Sequence, residues 1–305
     1  MTREIKLSVS LAELQGLRSF AGALQLNRLL SKGHLMSGEH RGSALGRGLE
    51  FSEVRSYQMG DDLRHLDWKV TARRGQPFTR VYHEEHQRPV MLFIDLASQL
   101  QFGQAGSKAV LAAKLAAVLG WSALQDKDLV GGWIETDQQS YWQPAVKQAR
   151  DFSPFLARLA AITQNLGELK PRAAGRLDEA LDAFVRRLPK GSLALVITDW
   201  IGWTNPSLLK RLRQRGPLLV VHLTDPLDQN LPTNAGQVIL QGKLQPVTSA
   251  LQKAWQAAFL QRVADLKAAA GQQGRYLQLS TTNQENWLKP LLPTSGYADT
   301  TGINL

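Results

Sequence analysis

Acidic residues stand at the ends of three apolar runs of strand length, at Asp95, Asp199 and Asp225. In open α/β sheets, ligands collect at the carboxyl ends of the parallel strands. Two carboxylates at neighbouring strand ends would suit a hard divalent cation such as Mg²⁺, which prefers oxygen ligands. Alternatively, each acid caps the following helix or accepts hydrogen bonds from loop amides, and the residues themselves leave both interpretations open.

Other short motifs do not define an active site. The histidines of His83-Glu84-Glu85-His86 are three residues apart in a strand-like segment, where they would point to opposite faces and could not share a zinc ion. The run Gly103–Lys108 lacks the Gly-Lys-Ser/Thr order of a phosphate loop, and Ser107 is expected to start a helix. The sequence has no cysteine and no Gly-x-Ser-x-Gly elbow, which excludes thiol catalysis.

The elements that must position the acids alternate between strand and helix patterns, which predicts a parallel α/β sheet flanked by helices. Strands are predicted at 89–95, 129–134, 193–199, 218–224 and 275–279, and helices at 107–124, 148–162, 177–188, 206–214, 249–270 and 284–291.

Upstream of residue 88 the pattern is different. A helix over 8–31, capped by Ser8 or Ser10, precedes a glycine-rich loop and a β-rich segment at 49–87. The predicted division is therefore an N-terminal extension at 1–87, an α/β domain at 88–292 and a poorly ordered tail at 293–305.

Composition limits the function classes further. The chain has 305 residues, 43% of them hydrophobic, and a formal net charge of +10. Its apolar runs are far shorter than the roughly 20 residues of a membrane-spanning helix, and its start lacks the apolar core of a secretory signal. We therefore expect a cytoplasmic protein.

Two basic runs carry much of the charge. They consist of Arg186, Arg187 and Lys190, and of Lys210, Arg211, Arg213 and Arg215. Both lie in amphipathic helical sequence, where a solvated helix face is the expected interpretation. A nucleic-acid-binding surface is the alternative hypothesis, although no recognition motif accompanies the charge.

The strand ending at Asp95 and the helix after Ser107 resemble the start of a von Willebrand factor type A-like domain, a Rossmann-like fold. Carried over, its metal-ion-dependent adhesion site would use Asp95 and Asp199, but Ala97 and Gln99 stand where serines are expected. Ser98 is one position out of register. The expected threonine is missing near Arg176, whose side chain would place a cation at the site if it pointed inward. The resemblance therefore implies a degenerate site for which Mg²⁺ is the candidate cofactor.

A second resemblance lies upstream, in the segment 48–73 with its Glu-Phe, Arg-x-Tyr, Gly-Asp-Asp, Arg-x-x-Asp-Trp and Ala-Arg motifs. This segment is similar to the signature of a bacterial family, domain of unknown function 58. The residues that carry the resemblance are Arg55, Tyr57, Gly60, Asp61, Asp62, Arg64, Asp67, Trp68 and Arg73.

These signature residues have two compatible interpretations. As a structural device, Gly60 supplies a turn, the arginines form bidentate pairs with the acids, and Tyr57 and Trp68 bury ring surface. Replacement of a buried Trp68 would then destabilise the fold strongly, by roughly 3–5 kcal/mol. As a docking surface, the same mixture of arginine and aromatic residues is typical of protein interfaces, and an exposed Trp68 would favour that role.

The family resemblance implies a non-enzymatic adaptor or scaffold that works with a MoxR-type AAA+ ATPase in protein assembly or maturation. Two alternatives remain: a nucleic-acid-binding protein that uses the basic runs, and a metal-dependent protein or hydrolase that uses Asp95 and Asp199. No cofactor other than the candidate Mg²⁺ is expected.

Overall fold

The computed structural model describes residues 6–22, 24, 49–84, 87–101, 103–165, 172–232, 236–240, 243–271, 274–283 and 287–291. The chain divides into two compact units, one of residues 1–38 and 88–305 and one of residues 39–87. Most of the predicted helix beyond residue 22, the glycine-rich loop and the tail at 293–305 lie outside the described residues.

A six-stranded sheet forms the centre of the larger unit, and helices cover both of its faces. Its strands are β3 (Pro89–Asp95), β4 (Leu129–Glu135), β5 (Ser140–Val146), β6 (Leu193–Thr198), β7 (Leu218–Thr224) and β10 (Gly274–Ser280). Its helices are α1 (Leu11–Gly16), α2 (Arg18–Ala21), α4 (Lys108–Gln125), α5 (Ala149–Gln164), α6 (Arg176–Arg187), α7 (Ser207–Arg215), α8 (Pro226–Gln229) and α9 (Ser249–Ala270). A short hairpin, β8 (Gln237–Leu240) with β9 (Lys243–Pro246), and 3₁₀ turns at Ser98–Gln101, Thr281–Asn283 and Lys289–Leu291 complete it.

The strand order is β10-β7-β6-β3-β4-β5, and all pairs are parallel except β4 with β5. The central strands are buried on both faces, which explains their continuous apolar sequences. Helices α1, α2, α4 and α5 contribute to the core on one face, and α6, α7 and α9 to the core on the other. The predicted α/β sheet flanked by helices is confirmed, and it is mostly parallel, whereas a fully parallel sheet was predicted.

Strand β5 was not predicted. It is antiparallel to β4, lies at the edge of the sheet, and is only partly buried. Its sequence contains Pro144, which is tolerated at a sheet edge but weakens the strand signal. A half-exposed edge strand does not produce the continuous apolar run by which its neighbours were recognised.

The first helices belong with the sheet, and the prediction grouped them with the segment that follows. Ser10 caps α1 in a capping box with Glu13, and Leu14 is buried in the core. The Trp121 indole N–H donates to the carbonyl of Leu14 at 2.9 Å, and the Ser122 hydroxyl donates to the carbonyl of Leu24 at 2.7 Å. These contacts with α4 explain why the N-terminal segment joins the larger unit.

The smaller unit is a hairpin with a helical insertion. Antiparallel strands β1 (Leu49–Ser56) and β2 (Phe78–Glu84) flank a 3₁₀ turn at Leu63–His65 and helix α3 (Trp68–Arg74). Helix α3 ends at Gly75, whose φ of 68° is a left-handed conformation that glycine adopts without strain. The β-rich character predicted for this segment is therefore present, with α3 added.

Candidate functional site

The carboxyl edge of the sheet gathers the predicted acids. Asp95 ends β3 and lies directly opposite Glu135, the last residue of the neighbouring β4. Asp199 follows β6, the neighbour of β3 on its other side, and Asp225 follows β7. All four residues are buried. We call Asp95, Glu135, Asp199 and Asp225, with the groups that bind them, the carboxyl-edge cluster.

Asp95 is completely buried and is held by an arginine. The Arg172 guanidinium, only 6% exposed, donates through both Nη atoms to the two carboxylate oxygens, in a contact of 2.9 Å to Oδ2 and a second, shorter one to Oδ1. The Thr198 hydroxyl donates to Oδ2 at 2.7 Å, and the Ala97 amide donates to Oδ1 at 3.0 Å. Four donors thus occupy the roughly four lone-pair directions of one carboxylate.

A lysine holds Asp199 in the same way. The buried Lys108 ammonium lies 3.1 Å from Asp199 Oδ2 and 3.1 Å from Asp228 Oδ1, while Gln99 Nε2 and the Ile201 amide donate to Asp199 Oδ1. Burial alone would raise the pKa of Asp199, but the Lys108 ammonium and the Ile201 amide together hold that pKa below its ordinary value. Burial would likewise lower the pKa of Lys108, but the two carboxylates raise it.

Glu135 has its own counter-ion. Arg176 Nε donates to Glu135 Oε1 at 2.7 Å, and the Trp133 indole and the Ser140 hydroxyl donate to Oε2 at 2.8 and 2.6 Å. Arg176 therefore does point towards the acids, as the sequence allowed, but its partner is Glu135 and the cation on Asp95 is Arg172.

Asp225 organises loops. Its carboxylate accepts hydrogen bonds from the amides of Leu227, Gln104 and Ala105 at 3.0, 2.9 and 3.2 Å, and from the hydroxyl of Thr281. It also caps α8. Asp225 therefore fits the second interpretation of the strand-end acids, in which the carboxylate caps a helix and accepts hydrogen bonds from loop amides.

The residues at the carboxyl edge do not fit a divalent cation. The oxygens of Asp95 and Asp199 already accept from cationic side chains and amides, so a metal ion would have to displace a buried ammonium or guanidinium. Ser98 donates its amide to Asp137 Oδ2 at 2.8 Å and lies among these groups, but within the described part of the chain no three His, Asp or Glu residues are arranged to hold a metal. No catalytic step is assigned to this edge.

In the smaller unit, the turn of the signature segment is held by two ion pairs. Gly60 has a φ of 109°, a conformation that favours glycine. Arg55 Nη2 donates to Asp61 Oδ1 at 2.8 Å, and this arginine and the Gln58 amide lower the pKa of Asp61. Asp62 caps the 3₁₀ turn through the amide of Arg64 at 2.9 Å and also pairs with the Arg64 side chain.

Asp67 anchors the start of α3. Its Oδ1 accepts from the amides of Lys69 and Val70, both at 3.1 Å, and its Oδ2 pairs with Arg80 Nε at 2.9 Å. Arg80 stands outside the signature and was missed. Arg73 was expected to pair with an acid, but it is exposed and has no acidic partner among the described residues.

The expectation that Trp68 is buried is wrong. Its side chain is 70% exposed, Met59 is fully exposed and Leu63 is 63% exposed, whereas Tyr57 is half-buried. Trp68 is the first residue of α3, and no residue of this helix is buried, so its ring does not contribute to a core of the small unit. We call Met59, Leu63 and Trp68 the apolar signature residues.

Several members of the carboxyl-edge cluster were not recognised from the sequence. Glu135 is the last residue of its strand, as Asp95 is, and extending the predicted strand at 129–134 by one residue would have included it. Arg172 is 77 residues from Asp95 in sequence, and no local pattern joins them. Lys108 was seen only as part of a helix start.

The fold and the site define a two-unit α/β protein with an ion-paired carboxyl edge, and the sequence comparison gives its family. Residues 53–270 match the model of the family described as Protein of unknown function DUF58, and the chain belongs to this family. It is 31% identical over 228 residues to uncharacterized proteins of Mycobacterium tuberculosis strain H37Rv and Mycobacterium bovis, a match that covers 72% of this chain and 70% of each relative.

Solved structures show weaker similarity. The protein BatB of Bacteroides thetaiotaomicron matches with a TM-score of 0.36 and 12% identity, over 67% of this chain and 98% of BatB. An aerotolerance-related membrane protein of Bacteroides fragilis matches with a TM-score of 0.36 and 18% identity, over 65% of this chain and 94% of its own.

In the chain described here, no helix among the described residues is long and apolar enough to cross a membrane.

Proposed function

We propose that this protein is a non-enzymatic adaptor that binds a MoxR-type AAA+ ATPase through its signature unit and helps it to assemble or mature other proteins. In this proposal the larger unit is a von Willebrand factor type A-like domain whose metal site has been replaced by internal ion pairs. Because the partner consumes ATP, the proposed location is the cytoplasm.

The observation that carries the proposal is the exposure of the apolar signature residues. Groups of large apolar side chains on a surface mark protein–protein contacts, and tryptophan is enriched among the residues that dominate binding energy. Met59, Leu63 and Trp68 lie within ten residues of sequence in the segment that carries the family signature. Ion pairs hold the backbone around them, so little ordering would be needed on binding.

The charges around these residues indicate the kind of partner surface. Asp61, Asp62 and Asp67 are engaged by arginines and backbone amides of the same unit. Lys69 and Arg73 on α3 are exposed and have no ionic partner among the described residues. The unpaired charge on α3 is therefore positive, and we propose that the ATPase presents an acidic rim around an apolar pocket.

The carboxyl edge supports a role without catalysis by this chain. A general acid or base needs a group that can exchange a proton with a substrate. Asp95 and Asp199 are buried and saturated by cations and amides, so they stabilise loops. The loops that they support remain a second surface for a partner.

The test uses the purified full-length chain and the cognate MoxR-type ATPase, with the dissociation constant and the ATPase rate as readouts. Trp68→Ala is expected to weaken binding about tenfold or more, because truncation of a central aromatic anchor removes its contact with the pocket. Leu260→Ala is the matched control, since Leu260 is an exposed apolar residue of the larger unit, and it should change binding less than about twofold.

The melting temperature of Trp68→Ala should stay close to that of the wild type, because the ring is exposed. A wild-type chain that neither binds nor stimulates the ATPase would refute the adaptor role. Binding that is equal for wild type and Trp68→Ala would refute the proposed surface.

A further inference from the structure

The fold joins the two basic runs that are separate in the sequence. Asp182 of α6 accepts hydrogen bonds from Arg186, one turn later on the same helix, and from Arg211 of α7. One carboxylate thus connects the last turns of α6 to the middle of α7.

A second connection lies one loop further along. The Gly191 amide donates to the carbonyl of Arg215 at 2.6 Å, and the Ala194 amide donates to the carbonyl of Pro217 at 2.9 Å. Lys190 therefore lies beside the end of α7. We call the residues of both runs the basic strip: Arg186, Arg187, Lys190, Lys210, Arg211, Arg213 and Arg215. It lies where β6 and β7 begin, at the amino edge of the sheet.

The two runs themselves carry little negative charge. Asp182 is the single acidic residue within 182–190 and 207–215. Lys190 and Lys210 are exposed and have no hydrogen-bonded or ionic partner through their side chains within the described part of the chain. Such a surface attracts a polyanion.

The apolar residues of these helices show which polyanion fits. Leu208, Leu209 and Leu212 of α7, and Phe184 and Val185 of α6, are all buried in the core. The strip thus offers no exposed apolar anchor, which the centre of a protein interface needs and which an interfacial membrane helix inserts into lipid. A phosphate backbone needs none, because cations alone bind it.

The aromatic rings beside the strip favour a duplex over a single strand. The Arg187 guanidinium lies over the rings of Trp133 and Trp142, 5.2 and 5.9 Å from their centroids, so these rings are covered. Single-strand binding proteins use open aromatic side chains on which bases stack. We propose that the basic strip binds the phosphate backbone of double-stranded nucleic acid without sequence preference. The inference is independent of the proposed ATPase partner.

Fluorescence anisotropy tests this proposal. The full chain is titrated into a labelled DNA duplex of about 20 base pairs, at KCl concentrations from about 50 to 200 mM. The wild type should bind, and its affinity should fall steeply with salt. The double variant Lys190→Ala with Lys210→Ala should bind roughly tenfold more weakly, with a logarithmic salt slope smaller by about 1.8. Both side chains are exposed, so the fold should be retained, and circular dichroism checks this.

The matched control is Lys69→Ala with Arg73→Ala, which removes the same charge from the other unit. It should leave duplex affinity and salt slope unchanged. Equal weakening by both double variants would show diffuse attraction and overturn the proposal. The absence of duplex binding at the lowest salt, tighter binding to the single strand, or binding to anionic vesicles in place of the duplex would overturn it as well.

Discussion

The two edges of the central sheet use the same cationic residue types in opposite ways. At the carboxyl edge, the side chains of Lys108 and Arg172 are buried, and each is bound to a buried carboxylate. At the amino edge, the cations of the basic strip are mostly exposed, and Arg186 and Arg211 share the partly exposed Asp182. Buried cations are neutralised by the acids that they hold, so the excess positive charge of the chain is presented by exposed groups such as those of the strip.

The difference separates structural from binding roles. Removal of one partner from a buried ion pair leaves an uncompensated charge in a medium of low dielectric constant. An exposed pair is solvated with or without its partner, and it contributes little to stability. Residue type alone would have assigned Arg172 and Arg186 the same role.

The largest expected effect comes from Arg172→Ala at the carboxyl edge. It leaves the fully buried Asp95 without its cation, and we expect the free energy of unfolding to fall by about 3–5 kcal/mol. Urea unfolding followed by circular dichroism measures this change. A loss below about 1 kcal/mol would mean that Asp95 does not depend on this arginine.

Replacement of the buried His222 is expected to have an intermediate effect on the free energy of unfolding, and this effect depends on pH. His222 is buried on β7, with Nδ1 2.8 Å from the Tyr276 hydroxyl. Burial, and then the charge of Arg262, lower its pKa from 6.5 to about 3, although Asp199 acts in the opposite direction.

Because the unfolded chain binds this proton more readily, the contribution of His222 to stability is complete above pH 6.5. It is lost as the pH falls from 6.5 towards 3, with a slope of up to about 1.4 kcal/mol per pH unit. The variant His222→Gln should lack this component, so its unfolding free energy should approach that of the wild type between about pH 5.5 and 4. Parallel pH dependences would contradict a neutral buried imidazole.

The smallest effect is expected from Arg186→Ala at the amino edge. Its side chain is 63% exposed and pairs with Asp182 one turn earlier, so unfolding should change by about 0.5 kcal/mol or less. The same urea titration as for Arg172→Ala gives a direct comparison. A loss as large as that of Arg172→Ala would remove the distinction between the two edges.

The sequence predicted the framework of the sheet and the position of its acids, but not their partners. Strands buried on both faces have continuous apolar runs, so β3, β6 and β7 were found, and α9 was predicted with its observed limits. The hairpin of β8 and β9 was missed because its strands have only four residues each.

For the site, Asp95 and Asp199 could be placed because parallel strands end at one edge. Their cations could not, because Arg172 meets Asp95 only through tertiary folding. The exposure of Trp68 was also hidden, since an aromatic residue within a dense charged segment has the same sequence pattern whether it packs inward or points to solvent.

Isothermal titration of the metal-free wild-type chain with MgCl₂ tests most directly the claim that internal cations close the carboxyl edge. Our account predicts no saturable binding heat and the same melting temperature with Mg²⁺ as with EDTA, because the oxygens of Asp95 and Asp199 are already occupied. Stoichiometric Mg²⁺ binding that disappears in Asp95→Asn would contradict it.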